Sequence, residues 1–155
     1  PSSRRWKHER WSVGGERYSL DAIEHEILRP LGEPRIHFAL VCASKSCPDL
    51  RSEAYTGARL DEQLDDATRR FLADETKGLV TRTESGFFGG KDPNVYVSKI
   101  FSWFDDDFET GDQEVLDFLK TYAPAEAVAY MRRWGSDLDI EYLDYDWTLN
   151  DAPLR

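Results

Sequence analysis

The sequence predicts an α+β fold, a small antiparallel sheet packed against several helices. Three observations carry that reading. Apolar residues recur at helical spacing in Ser19–Pro30, Leu60–Leu72, Gln113–Tyr122 and Ala125–Trp134. Short strand-like stretches, Gly78–Thr83 and Val95–Val97, flank a glycine-rich turn, and Asp139–Trp147 alternates as an antiparallel strand does. Helices and strands also fail to alternate as a regular βαβ repeat.

Taken in order, the opening PSSRRWKHERW is polar and basic and reads as an extended or partly ordered lead-in over residues 1–12. Val13-Gly14-Gly15-Glu16 then turns into the first helix. Ser19 is its N-cap, Leu20, Ile23, Ile27 and Leu28 its buried stripe, and Pro30 its end, because proline disfavours helical geometry in the residue before it. Between Ile36 and Ala43 only His37 is neither aliphatic, aromatic nor thiol, so Arg35–Ser44 reads as a strand buried on both faces, followed by a loop over Lys45–Leu50. The Leu60–Leu72 helix is spaced by Leu60, Leu64, Phe71 and Leu72. Ser98 caps a further helix, KIFSWFDDDF, whose Ile100, Phe101, Trp103, Phe104 and Phe108 are read as core. Residues 13–150 make one domain and 151–155 a tail.

The 155 residues suffice to bury a core, and 5 Trp, 7 Tyr and 8 Phe supply it. A net charge of −10 argues against a nucleic-acid surface and against docking on anionic lipid. The acidic runs Asp61–Asp66 and Asp105–Glu109 read as solvated helix faces. No apolar run approaches the roughly 20 residues of a membrane span. The chain begins at Pro1 without a methionine, so a trimmed or processed piece is expected, of exported or cytoplasmic origin. Two cysteines five apart define neither a disulfide framework nor a compartment. The Gly86–Gly90 turn lacks the strand and the lysine–hydroxyl ending of a phosphate loop, Lys99 reads as surface, and no cofactor is implied.

The segments SLDAIEHEILRP, RIHFALVCASKSCPDLR, VSKIFSWFDDDF and YLDYDWTLN, in that order between Val13 and Asn150, resemble the "domain of unknown function 547" family. Its members occur in bacterial, often exported, proteins and in plant proteins that carry a leucine-zipper segment. The resemblance implies a papain-like architecture and a constellation of cysteine, histidine and glutamate. Members usually begin with a helix resembling AFWINxYNA, which this chain does not show. The expectation is an uncovered apolar face, completed by another segment or chain.

Cys42 stands where a rigid element gives way to loop, a place that shows a reactive group to solvent while holding it still. It is the candidate nucleophile, with Ala43 and Ser44 keeping the approach open. A neighbouring imidazole lowers a thiol's pKa. His25, on a helix between Glu24 and Glu26, is the candidate base, and Glu24 corresponds to the family's acid. Adjacent helical residues point about 100° apart, so Asp21, four residues earlier, is the better-placed neighbour of His25. His37 competes as base, but on a strand it has opposite parity to Cys42 and reads as a satisfied core histidine. Cys47 can pair with Cys42 as a disulfide, resolve an oxidised thiol, or join His25 and His37 as half of a zinc site, although the spacing does not suit zinc. Tyr145, Asp146 and Trp147 either line a cleft, with Asp146 orienting a histidine or binding an amine, or form a final strand with solvated acids.

The function expected is a thiol-dependent hydrolase or acyltransferase acting on a peptide, isopeptide or glutathione-like amide. The alternative is a non-catalytic module that binds a peptide or a small thiol or amide ligand.

Overall fold

The computed structural model of the chain describes residues 3–85, 90–108 and 115–151. The fold is α+β. Helix α1 (Ser3–His8) precedes a hairpin of β1 (Trp11–Val13) and β2 (Glu16–Tyr18), and the chain then enters α2 at Leu20–Ala22. The lead-in is therefore a helix and a strand rather than extended chain. Lys7 of α1 lies 3.9 Å from Asp21 of α2, which ties the opening to the next helix.

Ser19 caps α2 as expected, its hydroxyl accepting from the Ala22 N–H at 3.0 Å. The rest of α2 departs from expectation. Over Ile23–Leu28 it widens into a π-helix, with the Arg29 N–H reaching the Glu24 carbonyl, and it closes as a 3₁₀ turn over Arg29–Leu31. Pro30 does not end it; Gly32, at φ 67°, does, in the left-handed conformation open to glycine. Nor is the apolar stripe fully buried: Ile27 is 40% exposed and Leu20, Ile23 and Leu28 are half-buried, while Glu24 is the buried residue of the π segment.

The apolar run Arg35–Ser44 is not a strand. Pro34 and the Glu33 carboxylate, which accepts from the Arg35 N–H, start a 3₁₀ turn over Pro34–Phe38. Short apolar runs do not separate strand from buried helix, and here a proline at the first helical position decided it. The turn divides its side chains: Phe38 enters the core, and His37 faces the other way, into the cavity described below. Phe38 packs on Phe71 of α3 (Leu60–Ala73) with ring centroids 5.1 Å apart, and on Phe101 and Phe118. The acids of α3 are also more than a solvated face. Asp61 and Asp65 hold Arg35, at 2.7 and 2.5 Å, and Asp66 holds Arg51.

Strand β3 (Leu79–Ser85) pairs antiparallel with β4 (Lys91–Val97). The turn at Gly86–Gly89 lies outside the described residues. The expected helix after Ser98 breaks at Phe104 into α4 (Ile100–Trp103) and α5 (Asp105–Phe108), with the Ser98 hydroxyl accepting from the Ile100 N–H. Trp103 is 42% exposed rather than core, and Asp107 is drawn inward. Helices α6 (Val115–Tyr122) and α7 (Ala125–Trp134) lead to β5 (Asp139–Tyr142). Strand β5 pairs parallel with β4, so the sheet is mixed rather than antiparallel. Four α-helices and a 3₁₀ turn at Gly135–Asp137 separate the two strands among the described residues, and a long helical crossover is the connection that a parallel pair requires. Among the described residues no helix is long and apolar enough to cross a membrane.

One glycine fixes how α3 hands over to the sheet. A Cβ on Gly78 would lie 1.9 Å from the Phe71 carbonyl oxygen. Gly78→Ala is expected to destabilise the fold by about 2 kcal/mol or more, as overpacking against backbone does, and a urea midpoint measures it. An unchanged midpoint would mean that this junction shifts freely.

Candidate functional site

A cavity of about 370 Å³ opens between α2, the chain around Cys42, and the exposed rings of Trp103, Tyr145 and Trp147. It brings Glu24, His25, His37, Cys42 and Cys47 onto one wall system. Asp21, Glu24 and His25 share it because residues three and four apart on a helix lie on one face, and the π widening that begins at Ile23 is a turn type that clusters at functional sites. Asp21 Oδ1 stands 3.9 Å from His25 Nε2, while His25 Nδ1 lies 3.2 Å from Arg29 Nη1.

Cys42 is exposed, and no strand holds it. It is held by a corner. Ala43 adopts φ 63°, a conformation that an alanine occupies only when its surroundings impose it. The segment after β5 supplies them: Asn150 N–H donates to the Ala43 carbonyl at 2.8 Å, Lys45 N–H to Thr148, and Ser46 N–H to Asp146. This strap also delivers Tyr145, whose hydroxyl lies 3.0 Å from Ser44 Oγ and 3.5 Å from Cys42 Sγ. Ser44 Oγ is 3.3 Å from the same sulfur. Hydrogen bonding from Cys47 first, and from Ser44 and Tyr145, outweighs burial and lowers the Cys42 thiol from 9.0 to about 5. Cys47 is buried, and its thiol is pushed up, chiefly by its bond to Cys42 and by burial, so Cys42 is the ionised partner.

His25 is not among the hydrogen-bond partners of Cys42 in the described residues. The side-chain hydroxyls within hydrogen-bonding reach of the Cys42 sulfur are those of Ser44 and Tyr145. Glu24 is buried, which raises its carboxyl pKa, and it lies close enough to Cys42 for their charges to interact.

His37 is buried, stacked at 4.1 Å on Phe104, with Nε2 2.7 Å from Asp107 Oδ2. That agrees with a satisfied histidine, but it also lines the cavity. Asp107 pairs in addition with both Arg29 Nε and Nη2. Burial alone would raise Asp107, yet the bonds from Arg29 and His37 hold it below the ordinary carboxylate range. Burial lowers His37, with Asp107 opposing. In both cases the unfolded chain binds the proton more readily, so this stabilisation is present above the unfolded pKa and is lost as pH falls, first below about 6.5 and then below about 3.9. Sequence reasoning assigned Asp107 to a solvated face; the one available signal was its place among Phe104 and Phe108.

Asp146 does not serve a histidine. Its carboxylate accepts from the Thr148 N–H and hydroxyl and stands 3.9 Å from Lys45. Cys42 and Cys47 are both free thiols, and no group of three or more His, Cys, Asp or Glu among the described residues could hold a metal ion.

The model of the family described as "Protein of unknown function, DUF547" matches residues 2–72. That match covers a little under half of the chain. It carries Glu24, His25, His37, Cys42 and Cys47, whereas Trp103, Asp107, Tyr145 and Trp147 lie beyond the matched DUF547 residues. No curated protein and no solved structure matches the chain.

Removing donors should raise the Cys42 thiol. Cys47→Ala, Ser44→Ala and Tyr145→Phe are each expected to shift the midpoint of Cys42 alkylation against pH upward, Cys47→Ala most, by about one unit, the worth of one hydrogen bond to a charge. Midpoints that stay in place would assign the lowered thiol to another cause.

Proposed function

We propose that the cavity is a thiol site for acyl transfer from an amide, with Cys42 as nucleophile, His25 as the proton carrier and Glu24 assisting. The observation that carries this is the exposed Cys42 sulfur, ringed by donors in a cavity shared with two histidines and a buried carboxyl. The thiolate attacks the carbonyl carbon, a C–S bond forms, and the carbonyl electrons move onto oxygen. The N–H groups of Ala43 and Ser44, at the strained corner, are suited to receive that oxyanion. Collapse breaks the C–N bond, and the leaving amine takes a proton from the His25 imidazolium. Water or an amine then attacks the thioester carbon and gives a proton to His25, the C–S bond breaks with its electron pair on sulfur, and the acid or a new amide leaves with the thiolate and the His25 imidazolium restored. Peptides, isopeptides and glutathione-like amides are the donors that such a papain-like sequence of steps accepts.

A second reading gives the proton step to His37. The Asp107 carboxylate on Nε2 orients that ring as the third member of a triad does, and burial keeps it neutral and able to accept a proton.

The test separates thiolate formation from proton transfer. His25→Ala should leave the rate of Cys42 alkylation at pH 7 within about twofold, because the thiolate is held by other donors. It should lower turnover of chromogenic peptide amides about 100-fold, the scale of a lost general acid–base. Cys42→Ser should abolish turnover. Loss in His37→Asn but not in His25→Ala would give the role to His37. Slow alkylation with an ordinary thiol midpoint, and no amide turnover, would leave a peptide- or thiol-binding module.

A further inference from the structure

Glu24 is 92% withdrawn from solvent, with 8% of its surface exposed, and it lines the cavity. Among the described residues its carboxylate makes no hydrogen bond and no ion pair. The charged groups that face it are His25, Arg29, Asp21 and Cys42. Of the fixed cations nearby, Arg29 is committed to both oxygens of Asp107, and Lys7 lies beside Asp21. A carboxyl largely withdrawn from bulk water gains more from an entering cation than a fully solvated one does.

Other residues that line the cavity suit the same guest. Tyr145 and Trp147 lie 4.5 Å apart by ring centroid, and Trp103 packs on both at 4.7 and 5.3 Å. Two of these residues keep much of their surface in solvent, Trp103 at 42% and Trp147 at 58% exposed. Indole faces attract ammonium groups and cover the methylenes that carry them. The chain's net charge of −10 draws cations in general.

We propose that the cavity binds an alkyl primary amine, its ammonium on Glu24 and its aliphatic stem against the Trp103–Tyr145–Trp147 wall, and that this amine is the acyl acceptor. The role as acceptor rests on the thiol reading above; the binding does not. In the transfer step Glu24 takes one proton from the ammonium, and its burial-raised carboxyl suits that task. The freed nitrogen pair attacks the thioester carbon. The new C–N bond forms as the C–S bond breaks, sulfur leaves with the electron pair as the Cys42 thiolate, and the nitrogen's second proton passes to His25. The products are a new amide and the thiolate, so no oxidant or further reactant is needed.

The experiment is a titration with n-butylammonium chloride against n-butanol at pH 7.5 and constant ionic strength, followed by tryptophan fluorescence and calorimetry. It uses the wild-type chain and Cys42→Ser, in which the thiol is silent. Saturable binding of the ammonium, at least about tenfold tighter than the alcohol and weakened about tenfold in Glu24→Gln, is expected for a charge-assisted contact. The wild-type comparison of the two probes needs no variant, so a misfolded Glu24→Gln cannot decide the matter. Equal binding of the two probes, or Glu24→Gln binding the ammonium as well as wild type, overturns the proposal. Ammonium binding without amide turnover keeps the amine site and ends the thiol reading. Turnover to the free acid without ammonium binding does the reverse.

Discussion

The Asp107 carboxylate joins parts of the chain that lie 78 and 70 residues away in sequence. One oxygen meets Arg29 at the end of α2 and His37 in the 3₁₀ turn, and the second oxygen completes the fork on Arg29. Phe104 closes the arrangement, stacked on His37 and lying 5.1 Å beneath the Arg29 guanidinium. A buried charge costs several kcal/mol unless paired and fully bonded, and a forked arginine supplies the geometry that makes such a pair tolerable. Through this carboxylate the histidine-bearing walls of the cavity take their positions. Asp107 fixes His37 directly, and Arg29, which it anchors, is the neighbour of His25.

The opposite side is built on a different principle. Cys42 is aimed by a backbone corner whose strain is held by the strap from Tyr145 to Asn150, through an isolated antiparallel bridge between Ser44 and Leu149. The strap itself follows β5, and the Leu143 N–H bonds to the Val97 carbonyl at 2.8 Å. The parallel pairing of β5 with β4 therefore sets where Tyr145 and Trp147 arrive. The sheet positions the aromatic wall and the phenylalanine core positions the histidine turn, so that neither alone makes the cavity.

Much of this was readable in advance. Helical spacing placed α3 and α7 within a residue, and Ser19 announced its cap, because local periodicity and capping chemistry are encoded locally. Cys42 and His25 were found from residue type and place in the chain and Glu24 from the family resemblance, and the three share a cavity. What sequence could not supply was long-range. The π turn that carries Glu24 and His25 is not visible in composition. A proline at position 34 overrode an apolar run that suited a strand equally well. Asp107 stood in a run of three aspartates, and only the packing of Phe104 and Phe108 selects it for the interior. The aromatic strap was weighed as a cleft wall, yet its pairing with residues 43–46 depends on a parallel strand read as antiparallel.

The most direct test of this account is the long-range 1H–15N spectrum of the imidazoles, wild type against Asp107→Asn, between pH 6 and 8. Wild-type His37 is expected to take up its proton less readily than an ordinary imidazole and, where neutral, to be protonated at Nε2 alone, because Asp107 accepts there. Asp107→Asn should turn it into a mixture of tautomers and move the His25 signals as well. A His37 spectrum that is the same in both proteins, or one already averaged over tautomers in the wild type, would contradict the role given to that carboxylate.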